Sequence, residues 1–185
     1  MRYAQIRSMD ISNGKDIGVA LFVQGCHLHC HNCFNSDTWD FNGGKEWTSD
    51  VKNTFMKLIE KDYIKRVSFL GGDPLAEENC PEILKLIREI KDIYKNNKKI
   101  WLYSGYTFEA CWSIPIKKEI LSYCDIMVDG AFIDSLKDLS LEFRGSSNQR
   151  IIDVQRTIKN IEKGEIILWD SLKEKDIKKL TSLNV

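Results

Sequence analysis

Three cysteines crowd into one short run, CHLHCHNC, at Cys26, Cys30 and Cys33. The spacing is C-x3-C-x2-C, and thiolates set so closely are metal ligands in one of two ways. A structural zinc site needs four tetrahedral ligands, usually two CxxC-like pairs across a longer loop. No second pair exists here, so zinc would have to recruit an adjacent histidine or a distant cysteine. Three thiolates alone leave one coordination position open. That suits a cluster iron that must bind something other than protein. All three histidines of the chain, His27, His29 and His31, are interleaved with these cysteines. They read either as further iron ligands or as neutral residues of an exposed loop. Cys80, Cys111 and Cys124 are scattered and read as small buried hydrophobes.

A second candidate is Gly71-Gly72-Asp73-Pro74. Glycines without a Cβ let the backbone approach a ligand. Taken alone the segment is also a plain turn, since Gly-Gly and Asp-Pro are turn dipeptides. Ser104 and Asp129 stand in two similar positions, as ligand-binding polar groups or as strand-end caps.

The elements that must position these residues follow from hydrophobic pattern. Residues 17–24, IGVALFVQ, read as a fully buried strand. Thr48 or Ser49 caps a helix in which Val51, Phe55, Leu58 and Ile59 share a face. Residues 66–70 form the next strand and stop at Gly71-Gly72. Pro81 opens a helix with the stripe Ile83, Leu86, Ile87, Ile90, Ile93 and Tyr94. Residues 99–103 form a strand that stops at Ser104-Gly105. Residues 107–123 are helical with an interruption near Pro115. Residues 126–128 form a strand that stops at Asp129-Gly130. Residues 150–154 and 165–169 are further short strands.

Strand and helix therefore alternate, and helix-length crossovers imply parallel pairing. In such folds the C-terminal strand ends lie along one edge and carry the site. The three cysteines, the GGDP segment, Ser104 and Asp129 should converge on one mouth. About five or six βα units are too few for a closed eight-strand barrel. The expected fold is α/β: an open, partial (β/α) barrel with a mainly parallel curved sheet. Residues 1–154 would form it, with residues 155–185 as a C-terminal extension packed on or extending from it. That extension carries seven basic and five acidic residues, and residues 173–180 read as an exposed charged helix.

Composition bounds the function. The chain has 185 residues, with 27 basic and 27 acidic side chains. A neutral chain is a poor electrostatic binder of nucleic acid. The longest apolar run, residues 17–23, is far short of the roughly 20 needed to span a membrane. Residues 1–10 contain no apolar stretch of a signal peptide. A cytoplasmic protein is expected, with neither nucleic acid nor membrane as partner.

The loop GCHLHCHNCFN, directly after a first buried strand, resembles the cluster loop of radical S-adenosylmethionine (SAM) enzymes. Gly71-Gly72-Asp73-Pro74 resembles the GGE-type segment with which these enzymes hold the methionine part of SAM. Residues 9–14 (MDISNG), VQGC, NSDTWD, LGGDPL, WLYSGYTFE, VDGAF and FRGSSNQRIID narrow the likeness. Together they resemble the activase group of the anaerobic (class III) ribonucleoside-triphosphate reductase, over nearly all of residues 1–154. Many radical SAM loops place an aromatic before the third cysteine. Here that position is Asn32, and the aromatic follows at Phe34.

The resemblance implies a 4Fe-4S cluster on Cys26, Cys30 and Cys33, with one iron open to SAM. It implies that the carbonyls of Gly71 and Gly72, with Asp73, accept from the SAM ammonium. The backbone of Asn32, Cys33 and Phe34 would hold the adenine edge, and Ser104 and Asp129 the ribose and methionyl groups. Residues 144–150, RGSSNQR, would line the mouth, with Asn148 and Gln149 free to bind SAM or an incoming backbone. The other reading of that loop is that it satisfies its own amides. The implied reaction is one-electron cleavage of SAM to methionine and a 5′-deoxyadenosyl radical. That radical takes a hydrogen atom from a glycine of the reductase, with flavodoxin or ferredoxin as electron donor. Two alternatives stand beside it. One is another small radical SAM enzyme, an activase of a different glycyl-radical enzyme or a deazaguanine-forming synthase. The other is a zinc-stabilised binding module.

Overall fold

The computed structural model describes residues 1–169. The segment 173–180, read above as a charged helix, lies outside the described residues. The central strand β2 (Gly18–Val23) is buried at every position. It pairs in parallel with β4 (Arg66–Gly71), which pairs in parallel with β5 (Lys99–Tyr103), and β5 with β6 (Ile126–Asp129). Around this centre the sheet adds β1 (Arg2–Asp10), β3 (Lys45–Glu46) and β7 (Arg150–Asp153), all antiparallel to their neighbours. The order is β3-β1-β2-β4-β5-β6-β7, and the sheet does not close. This is the open, partial α/β barrel expected from the alternation, parallel in its four central strands.

The departures lie at the edges. The sequence reading assigned no strand to residues 2–10 or 45–46. Two register irregularities in β1 break the period of two that marks a strand, and β3 is two exposed residues long. β7 runs antiparallel because the segment between it and β6 holds only a short 3-10 turn, Asp134–Leu136, where a parallel return would need a crossover helix. Residues 165–169 form no strand; Leu168 makes a single bridge to Ile152.

The helices follow the expected pattern. Thr48 caps α1 (Ser49–Glu60), its side chain accepting from Val51 N, and Phe55 and Ile59 are buried. Pro81 stands in the first turn of α2 (Cys80–Tyr94), where its missing N–H costs nothing. Of the α2 stripe, Ile93 alone is largely exposed. Pro115 divides the third helical region into α3 (Phe108–Trp112) and α4 (Pro115–Tyr123). A short α5 (Val154–Lys159) follows β7.

Strand alternation sorts the side chains. Val19, Leu21, Val23, Val67, Phe69, Ile100, Leu102 and Met127 join helix residues in the main core, which also takes in Cys80, Cys111 and Cys124. The alternate positions Ala20, Phe22, Leu70, Trp101, Ile126 and Val128 form two smaller clusters on the opposite, helix-free face. Trp169 packs there, its ring 5.3 Å from that of Trp101.

The helix-free face also holds a buried cation. Arg66 is 1% exposed. Its guanidinium donates to Asp10 Oδ1 at 3.0 Å and Asp10 O at 2.7 Å, to Lys15 O at 3.1 Å, and to Asn13 O and Ser68 Oγ. One side chain thus gathers the MDISNG segment onto the sheet. Gly14, at φ +124, lies where a Cβ would fall 2.6 Å from Arg66 Cδ and 2.7 Å from Trp101. Removing Asp10 strands a buried charge, which typically costs about 3–5 kcal/mol. Asp10→Ala should therefore lose about that much stability in urea unfolding. A loss near zero would show that the backbone carbonyls alone satisfy Arg66.

Candidate functional site

Because β2, β4, β5 and β6 run parallel, their C-terminal ends meet along one edge. The loops that follow them line one cavity of about 480 Å³. Cys26, Cys30, Cys33, Phe34, Gly71, Gly72, Asp73 and Ser104 all contribute to its wall. The structure thus brings together eight of the ten residues singled out from sequence. Asn32 is exposed at the rim, its amide donating to Asp134 at 2.8 Å. Asp129 does not reach the cavity. Its carboxylate is buried and accepts from Phe108 N at 2.8 Å and Arg150 Nε at 3.0 Å, fastening α3 and β7 to the end of β6.

The cysteine loop is anchored at its start. Gly25 N donates to Thr38 O at 2.8 Å and Cys26 N to Trp39 O at 3.1 Å. His29 and Asn32, at φ 45 and φ 54, turn the loop in the left-handed region that few side chains adopt. Cys33 N donates to Cys30 O at 3.1 Å. The histidines are exposed, and none lines the cavity. His27 pairs with Glu78 at 3.0 Å, and His29 stacks on Trp39 with ring centres 4.7 Å apart.

Burial pushes the Cys26 and Cys30 thiols up, and the Asp73 carboxylate adds to it. Thiolates placed here need a strong positive charge, which iron supplies on ligation. Among the described residues, no three His, Cys, Asp or Glu side chains are gathered to hold a single metal ion. Cys26, Cys30 and Cys33 nevertheless all border one cavity, the setting that an iron-sulfur cluster held by three loop thiolates needs.

The glycine pair makes room first for the chain's own backbone. Gly72 N donates to Val23 O and Asp73 N to Gly25 O, both at 2.8 Å, so the β2–β4 ladder runs on past the strands. A Cβ on Gly72 would lie 2.4 Å from Gly25 O, and one on Gly71, at φ +105, 2.8 Å from Val23 O. Asn79 adds a clasp, its amide donating to Gln24 O at 2.9 Å and Asp73 O at 3.0 Å.

Asp73 links two loops. Its carboxylate accepts from Leu75 N at 2.8 Å, Gly105 N at 3.0 Å and Ser104 Oγ at 3.0 Å. Burial pushes its pKa up to about 6, against the pull of those donors, so it is mostly anionic at neutral pH.

The RGSSNQR loop lines the cavity through Arg144, Gly145 and Gln149 and also satisfies its own amides. Gln149 Oε1 accepts from Gly145 N at 2.8 Å and Ser146 N at 3.2 Å, and Nε2 donates to Gly130 O at 2.9 Å. Asn148 donates to Ala131 O at 2.8 Å. Sequence reasoning missed Arg7, Asn13 and Tyr103, which also line the cavity. The alternation of β5 would have placed Tyr103 on the face of Trp101, but Arg7 lay in a strand not recognised.

Residues 12–152 match the family described as a 4Fe-4S single cluster domain. A relative from Escherichia coli (strain K12) is 37% identical over 151 residues, 80% of this chain and 96% of that protein. One from Enterobacteria phage T4 is 36% identical, over 82% of this chain and 93% of its own. One from Vibrio cholerae is 35% identical, over 82% and 97%. Each is named anaerobic ribonucleoside-triphosphate reductase-activating protein. This chain belongs to that family. The zinc-stabilised module, weighed from cysteine spacing alone, gives way to the iron-sulfur assignment, since the matched 4Fe-4S domain spans the cysteine loop.

For this activase-family chain, the close approach at Gly72 has a measurable consequence. Gly72→Ala should displace the base of the cysteine loop and reduce iron uptake on anaerobic reconstitution by more than about half. Gly164→Ala is the control, because nothing lies within 4 Å of a Cβ there. It should cost only about 1–2 kcal/mol of left-handed backbone strain and leave iron content alone. Full iron loading in Gly72→Ala would show that the strand ends tolerate separation.

Proposed function

We propose that this protein activates an anaerobic ribonucleoside-triphosphate reductase by generating a glycyl radical on it. The observation that carries the reading is the convergence of three thiols and the Gly71–Asp73 segment on one cavity at the parallel strand ends. The relatives' names favour the reductase as partner over other small radical SAM reactions.

Cys26, Cys30 and Cys33 would hold the cluster. The 71–73 backbone, Ser104 and the 32–34 backbone would hold SAM. When bound, these cofactors supply one-electron cleavage of the sulfonium C–S bond to methionine and a 5′-deoxyadenosyl radical. The residues of the chain bind, orient and exclude water. Asp73 and Ser104 fix the two loops that would frame the cofactor, and Asp73 places anionic charge near its cationic groups. Phe34 and Phe132, with ring centres 5.1 Å apart, form an apolar wall beside the cysteines. Asp129 acts from below by holding α3 and β7 in place. A glycine suits the partner's reacting position, because its Cα hydrogen has no side chain in the way and two amides flank it. Residues 1–154 would be the catalytic unit, with the remainder an extension of it. A flavodoxin or ferredoxin would supply the electron, in the cytoplasm.

Anaerobic reconstitution tests the reading. About four irons and four sulfides per chain are expected, with 5′-deoxyadenosine formed on reduction with SAM and a glycyl radical seen by electron paramagnetic resonance on the added reductase. Cys26→Ala, Cys30→Ala and Cys33→Ala should each lose cluster or SAM cleavage. Cys80→Ala, Cys111→Ala and Cys124→Ala combined should keep the iron, though cavities in the core lower stability. A fully active variant at any of the first three positions would refute the ligand set.

A further inference from the structure

The cysteine loop is held differently at its two ends. Its start is tied to neighbouring strand ends through Gly25, Cys26 and Asp73. Its end, residues 32–34, is shaped locally by Cys33 N donating to Cys30 O and Ser36 N to Cys33 O. What ties this end to a distant part of the chain is the segment after β6. Asn32 Nδ2 donates at 2.8 Å to Asp134 Oδ2, 102 residues further along. The Phe34 ring lies 5.1 Å from that of Phe132, and Lys137 Nζ stands 5.0 Å over it. Gly145 lies where a Cβ would fall 2.7 Å from the Phe34 ring and 3.2 Å from that of Phe132. Cys33 thus sits between two residues that are both gripped from the same segment.

That segment is an arm with an outgoing and a returning half. Lys137 and Ser146 make an antiparallel bridge between the halves. Ser147 N donates to Leu136 O at 2.9 Å, and Asp138 N to Gly145 O at 3.2 Å. Ser146 is buried, and its Oγ accepts from Ile133 N at 3.3 Å. At the base, Asn148 and Gln149 donate to Ala131 O and Gly130 O. The RGSSNQR loop is therefore the returning half, and its internal bonds are what give the arm its shape.

We propose that this arm sets the position of Cys33 as a cluster ligand, with Asp134 and Phe132 as positioning residues that act through Asn32 and Phe34. This rests on the ligand set proposed above and adds to it the residues that hold one ligand in place. Asn32 is at φ 54, a left-handed conformation that costs energy for any residue with a Cβ. Such a conformation persists only where its surroundings enforce it. The amide-to-carboxylate bond to Asp134 supplies that enforcement on one side of Cys33, and the ring contacts of Phe34 supply it on the other. A cluster on three thiolates is opened to loss when one of them swings away, so the groups behind a ligand govern how firmly metal is kept.

The test is the rate at which the cluster-loaded protein gives up iron to a chelator, without oxygen and without SAM. Asp134→Ala and Phe132→Ala should each release iron about tenfold faster than wild type. Asn32→Asp alone sets two carboxylates face to face and should be at least as fast. Asn32→Asp combined with Asp134→Asn restores a carboxylate-to-amide bond in the opposite sense, in a left-handed position that aspartate also tolerates. That exchanged pair should return to within about twofold of wild type. Melting temperatures of the cluster-free forms show that each variant is folded; if Phe132→Ala is not, the exposed Asn32–Asp134 pair decides. Equal release by wild type and the folded single variants overturns the positioning role and leaves the ligand set standing. An exchanged pair as fast as Asn32→Asp also overturns it, since the contact itself would then not matter. A Cys33→Ala protein that takes up and keeps four irons as wild type does overturns the ligand set and this inference together.

Discussion

The site depends on how closely two strand ends approach one another. Gly72 N reaches Val23 O, and Asp73 N reaches Gly25 O, at 2.8 Å each, so β2 and β4 stay paired beyond their last regular residues. The cysteine loop springs from one of these ends and the GGDP turn from the other. No side chain fits between them: a Cβ on Gly72 would stand 2.4 Å from Gly25 O. The two glycines therefore set the distance between the thiol-bearing loop and the segment facing it. A backbone that approaches a neighbouring strand this closely also leaves its own polar groups near whatever fills the cavity. The ligand-binding role proposed for the glycines would share its cause with the structural one.

Asp73 extends that constraint sideways. It takes donors from the turn after β4 and from the turn after β5, so its single carboxylate fixes two walls at once. Three hydrogen bonds offset part of the cost of burying the charge. Burial still dominates, which is why its pKa rises to about 6. The negative charge it keeps at neutral pH raises the nearby Cys26 thiol. A bound cationic group reverses that sign, so the site favours cations by electrostatics as well as by ligand type.

What the sequence disclosed, it disclosed through period and punctuation. Buried central strands and the stripes of α1 and α2 carry strong periodic signals, and glycine or proline marks most of their ends. The spacing of Cys26, Cys30 and Cys33 was legible for the same reason: the chemistry is local. What stayed hidden was long-range. β1 lost its alternation to two bulges, so Arg7 could not be assigned to any face. Asp129 sits at a strand end like Ser104, yet points away from the cavity into a bond with Arg150, a partner 21 residues distant. Asn148 and Gln149 looked available because nothing local shows that their acceptors and donors lie on residues 130–131 and 145–146. A side chain's partners across the fold are invisible to spacing.

The mixed sheet accounts for the last feature, an opening in the molecule. A closed barrel would wall the helix-free face with strands and fill it with side chains. Here β1 and β7 flank four parallel strands and stop short of meeting. The space between is partly covered from one side by the 10–16 loop, gathered by Arg66. From another side come Phe143 and Trp169, whose rings pack edge-on against Trp101 at 5.4 Å and 5.3 Å. The sheet itself stays open between its outer strands. A polypeptide loop has bulk on both sides of its reacting residue and needs such an open approach, where a small molecule would be better held in an enclosed pocket. The antiparallel edges, which the alternation of strand and helix did not foretell, are thus what leaves this parallel-stranded site accessible to a protein.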